Sequence, residues 1–352
     1  MKKKEKYNVA VVGVGAVGVE MIRVLKQHKF PLNKLKILAR SERKIIIDGK
    51  AYNVEKITPD SFNNMDFALF AGTEGEKGAA VTYAQEAVKR GAIVIDNGAD
   101  FRLKKDVPLV VPEVNGIEAK QNKGIISNPN CSTIQMVVAL APIYKKAGIK
   151  RIIVSTYQAA SGAGRSALKQ LWDEAGQLYE KSNLVSVAHN PMQIKYDKQS
   201  QPAFSHQIAF NVLAQIGGFG QDNYTSEEWK MVHETHKILG SNKIKISATC
   251  IRVPVLNAHS EAIYIETNRS ITPAEIIRLL KKSKGIVVID EPKKGKYPMP
   301  GYASNRDEVF VGRIRKDPYV KNGFWLWVVS DNLRKGAATN AVQIAEFLIG
   351  KH

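Results

Sequence analysis

A run suited to a buried parallel strand, Asn8-Val9-Ala10-Val11-Val12, breaks into Gly13-Val14-Gly15-Ala16-Val17-Gly18, and a helical apolar periodicity through Val19, Met21, Ile22 and Leu25 follows at once. Strand, G-x-G-x-x-G turn and helix in that order constrain the fold more than any other stretch of this chain. Glycines at this spacing let the backbone turn tightly and come close to a pyrophosphate, which then rests on the helix N-terminus. The same turn can also form with no ligand on it. If a dinucleotide binds, its contacts are expected at Gly13, Gly15, Ala16, Val17 and Gly18.

The next elements extend the pattern. Lys36-Ile37-Leu38-Ala39 reads as a second strand, and it leads into Arg40-Ser41-Glu42-Arg43-Lys44. A site selective for NAD would place an acidic residue at this strand end, to bond the ribose 2′-OH. Here Arg40, Ser41 and Arg43 suit a 2′-phosphate, so NADP is expected; a solvated basic loop is the alternative. Asp66 to Ala71 and Ala92 to Asp96 read as further strands with a helix from Ala79 to Arg90 between them. That alternation predicts an α/β chain with a doubly wound, Rossmann-type dinucleotide-binding domain. Arg102 follows the carboxyl end of the last of these strands, where ligands gather in such sheets. It could clamp a phosphate or carboxylate, or simply be a surface arginine.

The stretch Asn128-Pro129-Asn130-Cys131-Ser132-Thr133-Ile134-Gln135 joins an apolar run, Gly124 to Ile126, to a long apolar-periodic segment from Ile134 to Ala147. Pro129 disfavours helical angles at Asn128, and Asn130 is a good N-cap. Cys131 then falls in the first turn of a helix, where free N–H groups and the macrodipole favour an anion and lower a thiol's pKa toward neutrality. A nucleophile is one reading. A small buried core cysteine is the other.

Beyond this helix, Arg151 to Gln158 reads as a strand ending in the small-residue run Ala159 to Gly164, and Lys181 to Phe204 reads as a loop. Thr225 or Ser226 caps a helix that carries Glu227 and Lys230 three residues apart. Lys245 to Val255 reads as a strand, with Cys250 half-buried and Arg252 near its end. His259-Ser260-Glu261 and the strand Ala262 to Glu266 follow, then strands at Val309 to Gly312 and Phe324 to Val329. Several strands with few helices between them predict an α+β second domain. The last helix, Ala338 to Ile349, should pack back on the first. The expected division is residues 1–130 completed by 333–352, and 131–332 between them.

Composition narrows the functional classes. The chain of 352 residues carries a formal net charge of +19, but its lysines are scattered in pairs such as Lys104-Lys105 and Lys281-Lys282. That is a solvated lysine-rich surface able to steer anionic substrates, not a basic stripe built for nucleic acid. Two cysteines cannot build a disulfide framework, and no window approaches the ~18 apolar residues of a membrane span. The basic start leads into a strand and not an apolar signal core. A cytoplasmic enzyme without a metal is expected.

Taken together, Asn128 to Gln135, Ser155-Thr-Tyr-Gln-Ala-Ala-Ser-Gly-Ala-Gly164, Arg252-Val-Pro-Val255 with His259-Ser-Glu261, and Val311-Gly-Arg-Ile-Arg-Lys316 resemble aspartate-semialdehyde dehydrogenases of the bacterial type. Trp327 to Asn332 and Lys335 to Ala338 extend the likeness over nearly the whole chain. The resemblance implies NADPH-dependent reduction of aspartyl-β-phosphate to aspartate β-semialdehyde and phosphate, a step toward lysine, threonine and methionine, in a homodimer or tetramer. It implies that Cys131 is the nucleophile, forming a thioester, that His259 is the acid–base group and that Gln158 orients the nucleophile. Arg252 and Glu227 would hold the substrate's carboxylate and amino group, and Arg102, Asn130 and Lys230 its phosphate. Ser161, Gly162 and Asn332 would line the cofactor. The first glycine turn is one residue shorter than is usual in that family, and Thr339 replaces a tryptophan. An N-acetyl-glutamyl-phosphate reductase, a non-catalytic paralogue and a basic RNA-binding protein are the alternatives.

Overall fold

The computed structural model describes residues 3–72, 78–181, 183–190, 192 and 202–351. The first sheet gathers β1 (Tyr7–Val12), β2 (Leu32–Ala39), β3 (Arg43–Ile47), β4 (Lys50–Lys56), β5 (Phe67–Phe70), β6 (Ile93–Asp96) and β7 (Ile125–Ser127) in the order β3-β4-β2-β1-β5-β6-β7. Every pairing is parallel except the β3–β4 edge hairpin. Period-two alternation serves both faces: Val9 and Val11 point into one core, and Ala10 and Val12 into the other. Helix α1 (Ala16–Gln27) covers the first face, and α2 (Ala79–Lys89) buries Ala80, Ala84 and Ala87 on the second. This is the doubly wound sheet the sequence predicts. The basic segment after β2 is not a loop throughout, because Arg43 and Lys44 open the hairpin strand β3. The hairpin turns at Asp48 and Gly49, both in the left-handed region at φ 49° and 75°.

A short helix α3 (Pro112–Asn115) precedes β7, and α4 (Cys131–Ala147) carries the chain to a second sheet. That sheet comprises β8 (Ile149–Gln158), β9 (Lys245–Arg252), β10 (His259–Thr267), β11 (Ile286–Val288), β12 (Val309–Lys316) and β13 (Gly323–Ser330), in the order β11-β12-β13-β10-β8-β9. It is mixed: β8–β9 and β11–β12 are parallel, the others antiparallel. One face packs on α4, α7 (Ser226–Leu239) and α8 (Pro273–Lys281), burying Ile263, Ile265, Leu326 and Val328 against Val137, Met231 and Ile276. The opposite face carries the aromatic pairs Tyr157–Trp327 at 5.6 Å and Tyr264–Trp325 at 5.1 Å, next to an Ile153 that is 42% exposed. Between the strands, α5 (Arg165–Lys181) and α6 (Leu184–His189) form a helical insertion, and α9 (Pro300–Ala303) is a single turn. The expected loop from Lys181 therefore contains a helix, although Pro191 lies outside the described residues.

The chain returns to its beginning. A π-type turn over Arg334–Ala338 leads into α10 (Thr339–Leu348), whose Ala341, Val342, Ile344 and Ala345 complete the core under β1 and α1. Ion pairs tie this return down. Arg334 bonds Glu20 at 2.7 Å, Gln27 at 2.7 Å and Asp307 at 3.0 Å. His28 bonds Asp307 and Glu346 at 3.1 Å each. Thr339, the residue that departs from the resembled family's tryptophan, donates its hydroxyl to Asp307. Lys335, fully buried, bonds Glu113 at 2.8 Å. Among the described residues, no helix is long and apolar enough to cross a membrane.

Candidate active site

The topology delivers polar side chains to one end of the second sheet. Strands β8 and β9 run parallel, with Gln158 opposite Arg252 at their last residues. Strand β10 is antiparallel to β8, so its first residue, His259, emerges at the same end. His259 pairs with Ser330, and β13 then leads into Asn332. Facing them is the first turn of α4, at the carboxyl ends of the parallel sheet.

Asn130 caps that helix, its Oδ1 accepting from Ser132 N at 3.0 Å and Thr133 N at 3.3 Å. Its Nδ2 donates to Glu227 Oε1 at 2.8 Å, and Gln158 Nε2 reaches the same oxygen at 3.3 Å. Cys131 is half-buried, and its Cβ is packed so closely that a side chain at Gly336 would meet it at 2.7 Å. The capped helix start is as the sequence predicts, but the direction of the thiol's pKa shift is not. Burial and then the nearby Glu227 push the Cys131 thiol up to about 12, against the pull of Arg252 and Arg102. Desolvation is the largest of these influences, so the shift runs upward and not toward neutrality. Cys250, expected to be half-buried, is fully buried in β9, its sulfur 3.7 Å from that of Met231.

His259 is fully buried, and its Nδ1 accepts from Ala159 N at 3.0 Å. A neutral ring so bonded carries its proton on Nε2. Burial, followed by the Arg252 charge, lowers its pKa well below the ordinary histidine value. A Cβ on Gly162 would stand 3.0 Å from His259 Nε2 and 2.8 Å from Arg252 Nη1, so the missing side chain is what lets these two groups approach the cleft. Arg252 donates to Ala159 O at 2.8 Å. Ala258, just before His259, holds a left-handed φ of 70°, and its N–H donates to Asn332 Oδ1 at 3.1 Å. Ser161 Oγ donates to the same Asn332 oxygen at 3.0 Å.

A cleft of about 330 Å³ is lined by Arg102, Asn130, Cys131, Gln158, Glu227, Lys230, Arg252, Ser161, Gly162 and Asn332. Arg102 is no surface arginine: its Nε bonds Asn128 O at 3.0 Å, its Nη1 bonds Glu234 Oε1 at 3.0 Å and its Nη2 bonds Asn97 O at 2.6 Å. Lys230 Nζ lies 3.6 Å from Glu227 Oε2. The sequence reading missed Asn97, Gly336 and Glu234. For Asn97 the signal was its place at a strand's carboxyl end; Glu234 lies seven residues after Glu227, on the same face of α7.

The small cleft opens into a larger one of about 1190 Å³, with Val17, Ser161, Gly162 and Leu333 in both walls. The remaining wall includes Gly13, Gly15, Ala16, Gly18, Arg40 and Arg43. Ser41 stands beside this wall, accepting from Arg43 Nη1 at 3.0 Å. The cradle fits a dinucleotide. Gly18 cannot carry a Cβ, which would meet Gly13 O at 2.0 Å, while the space over Gly15 is open and the α1 N-terminus has no side-chain cap.

Comparison with known proteins places this arrangement. The model described as "Semialdehyde dehydrogenase, NAD binding domain" matches residues 8–122, and that described as "Semialdehyde dehydrogenase, dimerisation domain" matches residues 140–335. The aspartate-semialdehyde dehydrogenase of Aquifex aeolicus is 50% identical, over 97% of this chain and 98% of its own. Among solved structures, aspartate semialdehyde dehydrogenase II of Vibrio cholerae, complexed with ASA, superposes with a TM-score of 0.89 at 40% identity, covering 99% of this chain and 100% of that one. The Candida albicans enzyme with NADP gives 0.70 at 25% identity, covering 98% and 99%. A capped cysteine that shares a small cleft with Gln158 and Arg252, beside a larger cleft that fits a dinucleotide, is thus found in a chain that belongs to the aspartate-semialdehyde dehydrogenase family.

Proposed function

We propose that this chain reduces L-aspartyl-4-phosphate to L-aspartate 4-semialdehyde and phosphate, with Cys131 as nucleophile and His259 as acid–base group. The observation supporting this reading is the convergence of Cys131, Gln158, Arg252 and His259 on one end of a sheet beside the dinucleotide cleft. Cys131 Sγ bonds to the acyl carbon, the carbon–oxygen bond to phosphate breaks with its electron pair, and the thiol proton passes to the departing phosphate. Gln158, Asn130 and Glu227 form a linked set that orients the sulfur and the acyl group. Arg252 suits the α-carboxylate, with its planar fork and fixed charge. Glu227 Oε2 suits the amino group, and Arg102, Asn130 and Lys230 the phosphate.

NADPH, when bound, supplies the hydride that the thioester carbon takes up. Gly13, Gly15, Ala16, Val17 and Gly18 would hold its pyrophosphate, Arg40, Ser41 and Arg43 its 2′-phosphate, and Ser161, Gly162 and Asn332 the nicotinamide end. His259 Nε2–H bonds the oxygen on which charge develops. That oxygen takes up one proton from solvent, relayed through the His259 ring; as the carbon–sulfur bond breaks with its electron pair, the same proton passes back through His259 to sulfur, releasing the aldehyde and restoring the thiol.

Residues 1–130 with 333–352 would serve the cofactor and 131–332 the substrate. The aromatic outer face of the second sheet, around Ile153, Tyr157 and Trp327, is the surface on which two copies would associate, in keeping with the dimerisation domain matched there. The cytoplasm, reducing and rich in NADPH, suits this chemistry. An assay with semialdehyde, phosphate and either NADP⁺ or NAD⁺ tests the reading. Turnover with a higher kcat/KM for NADP⁺, lost in Cys131→Ala and kept in Cys250→Ala, is expected. An active Cys131→Ala enzyme would remove the nucleophile assignment.

A further inference from the structure

We propose that Glu234 is a positioning residue for the phosphate side of this site, holding Arg102 and the Cys131 turn in fixed register through one carboxylate. The inference rests on the functional reading above, but Glu234 lies behind the wall of the small cleft and not in it. It is 1% exposed on α7, two turns beyond Glu227. Its Oε1 accepts from Arg102 Nη1 at 3.0 Å, and its Oε2 from the Asn130 backbone N–H at 2.6 Å. Asn130 in turn caps α4 and bonds Glu227, so the peptide that Glu234 grips is the one that sets where Cys131 starts.

The same helix holds the other side of the loop. Lys237, one turn on, donates to the carbonyls of Arg102, Lys104 and Val107 at 2.7 Å each. α7 therefore grips the Arg102 loop by its backbone and its guanidinium, and the cysteine turn by its backbone. If α7 had only to pack here, an apolar residue would serve, because burying a carboxylate is costly unless it is paired and hydrogen-bonded. Both oxygens of Glu234 are so paired, and both partners lie in the wall of the cleft that holds Cys131. One carboxylate thereby couples the place where an anion would sit to the place of the nucleophile.

Glu234→Gln tests this. The amide keeps the shape of the side chain but can accept at only one of the two bonds, and it removes the counter-charge from Arg102. In the full-length protein, the KM for inorganic phosphate should rise on the order of tenfold or more, as expected for a lost charge-assisted bond. The KM for NADP⁺ should stay within about twofold, since no cofactor contact changes. The rate of Cys131 alkylation by iodoacetamide without substrate should change severalfold at every pH from 7 to 10, because the peptide that sets the thiol's place is no longer held. This readout stands even if the enzyme's substrate proved different, so failure of the functional reading and failure of the proposal can be told apart. A double-mutant cycle with Arg102→Gln should be strongly non-additive. Glu234→Asp, which keeps the charge on a shorter stem, should recover part of the phosphate affinity. The proposal is overturned if Glu234→Gln lowers Tm yet leaves phosphate KM and the alkylation profile unchanged, or if its effect adds in full to that of Arg102→Gln. It is overturned equally if neither Glu234 variant folds, because the residue would then be structural.

Discussion

Cys131 and Gly162 show how differently single residues can be read. The N-cap of α4 was legible in Asn128-Pro129-Asn130, because a proline and an asparagine act on the backbone next to them. The upward shift of the Cys131 thiol was not, because it comes from burial and from Glu227, a residue 96 positions further along the chain. Gly162 could be read only as a small residue in a run of small residues. Its meaning lies in the space above it, which His259 and Arg252 share from other strands. Gly162→Ala should therefore lower kcat/KM by about 10²-fold, the scale on which a misplaced catalytic group costs rate. Circular dichroism should be unchanged. Gly301→Ala, with nothing within 4 Å of its added carbon, is the control. Full activity in Gly162→Ala would show that the close approach of His259 and Arg252 to this position is not needed.

At the scale of elements, the strands β1, β2, β5 and β6 and the helices α1, α2, α4 and α10 were readable from periodicity and glycine punctuation. The β3–β4 hairpin was passed over although Asp48-Gly49 signals its turn, as was α8 although Thr272 and Glu275 form its capping box and Pro273 opens it. Helix α5 was harder to see. It follows a glycine-rich run, and its apolar stripe, Ala167, Leu171 and Leu178, is narrow. The junction of α1, α10 and the Asp307 loop could not be read at all, since its partners come from three separate regions. Hydrogen bonds from Asp307 and then Glu346 raise His28 from its ordinary 6.5 to about 9. A raised folded-state pKa gives stability that is complete below about 6.5 and is lost as pH climbs through 9. Urea midpoints should accordingly fall between pH 7 and pH 10 by the equivalent of about 1 to 2 kcal/mol after screening. His28→Asn should flatten that slope; an unchanged slope would mean that the junction's charge does not stabilise the fold.

Across the whole molecule, the outer face of the second sheet sets the expected assembly. Its side chains run from buried Tyr264 through half-buried Tyr157, Trp325 and Trp327 to exposed Ile153, an aromatic composition typical of the core of an interface. Sedimentation should give twice the 38.9 kDa chain mass for the wild type and the single-chain mass for Ile153→Asp. A wild-type monomer, or a dimer indifferent to that charge, would place association elsewhere.

The return of α10 to the first sheet also has a consequence for how the protein is made. Arg334 and Glu20, which meet at 2.7 Å, are separated by 314 residues. On the ribosome, β1 and α1 emerge early but must wait for nearly the whole of translation before Ala341, Val342 and Ile344 arrive to cover their apolar side. For that interval the nascent chain exposes half of an unfinished core, at the stage when incomplete packing is most prone to aggregate. A pause or truncation before Thr339 would leave the dinucleotide half open underneath, even though every glycine of its turn had already been synthesised.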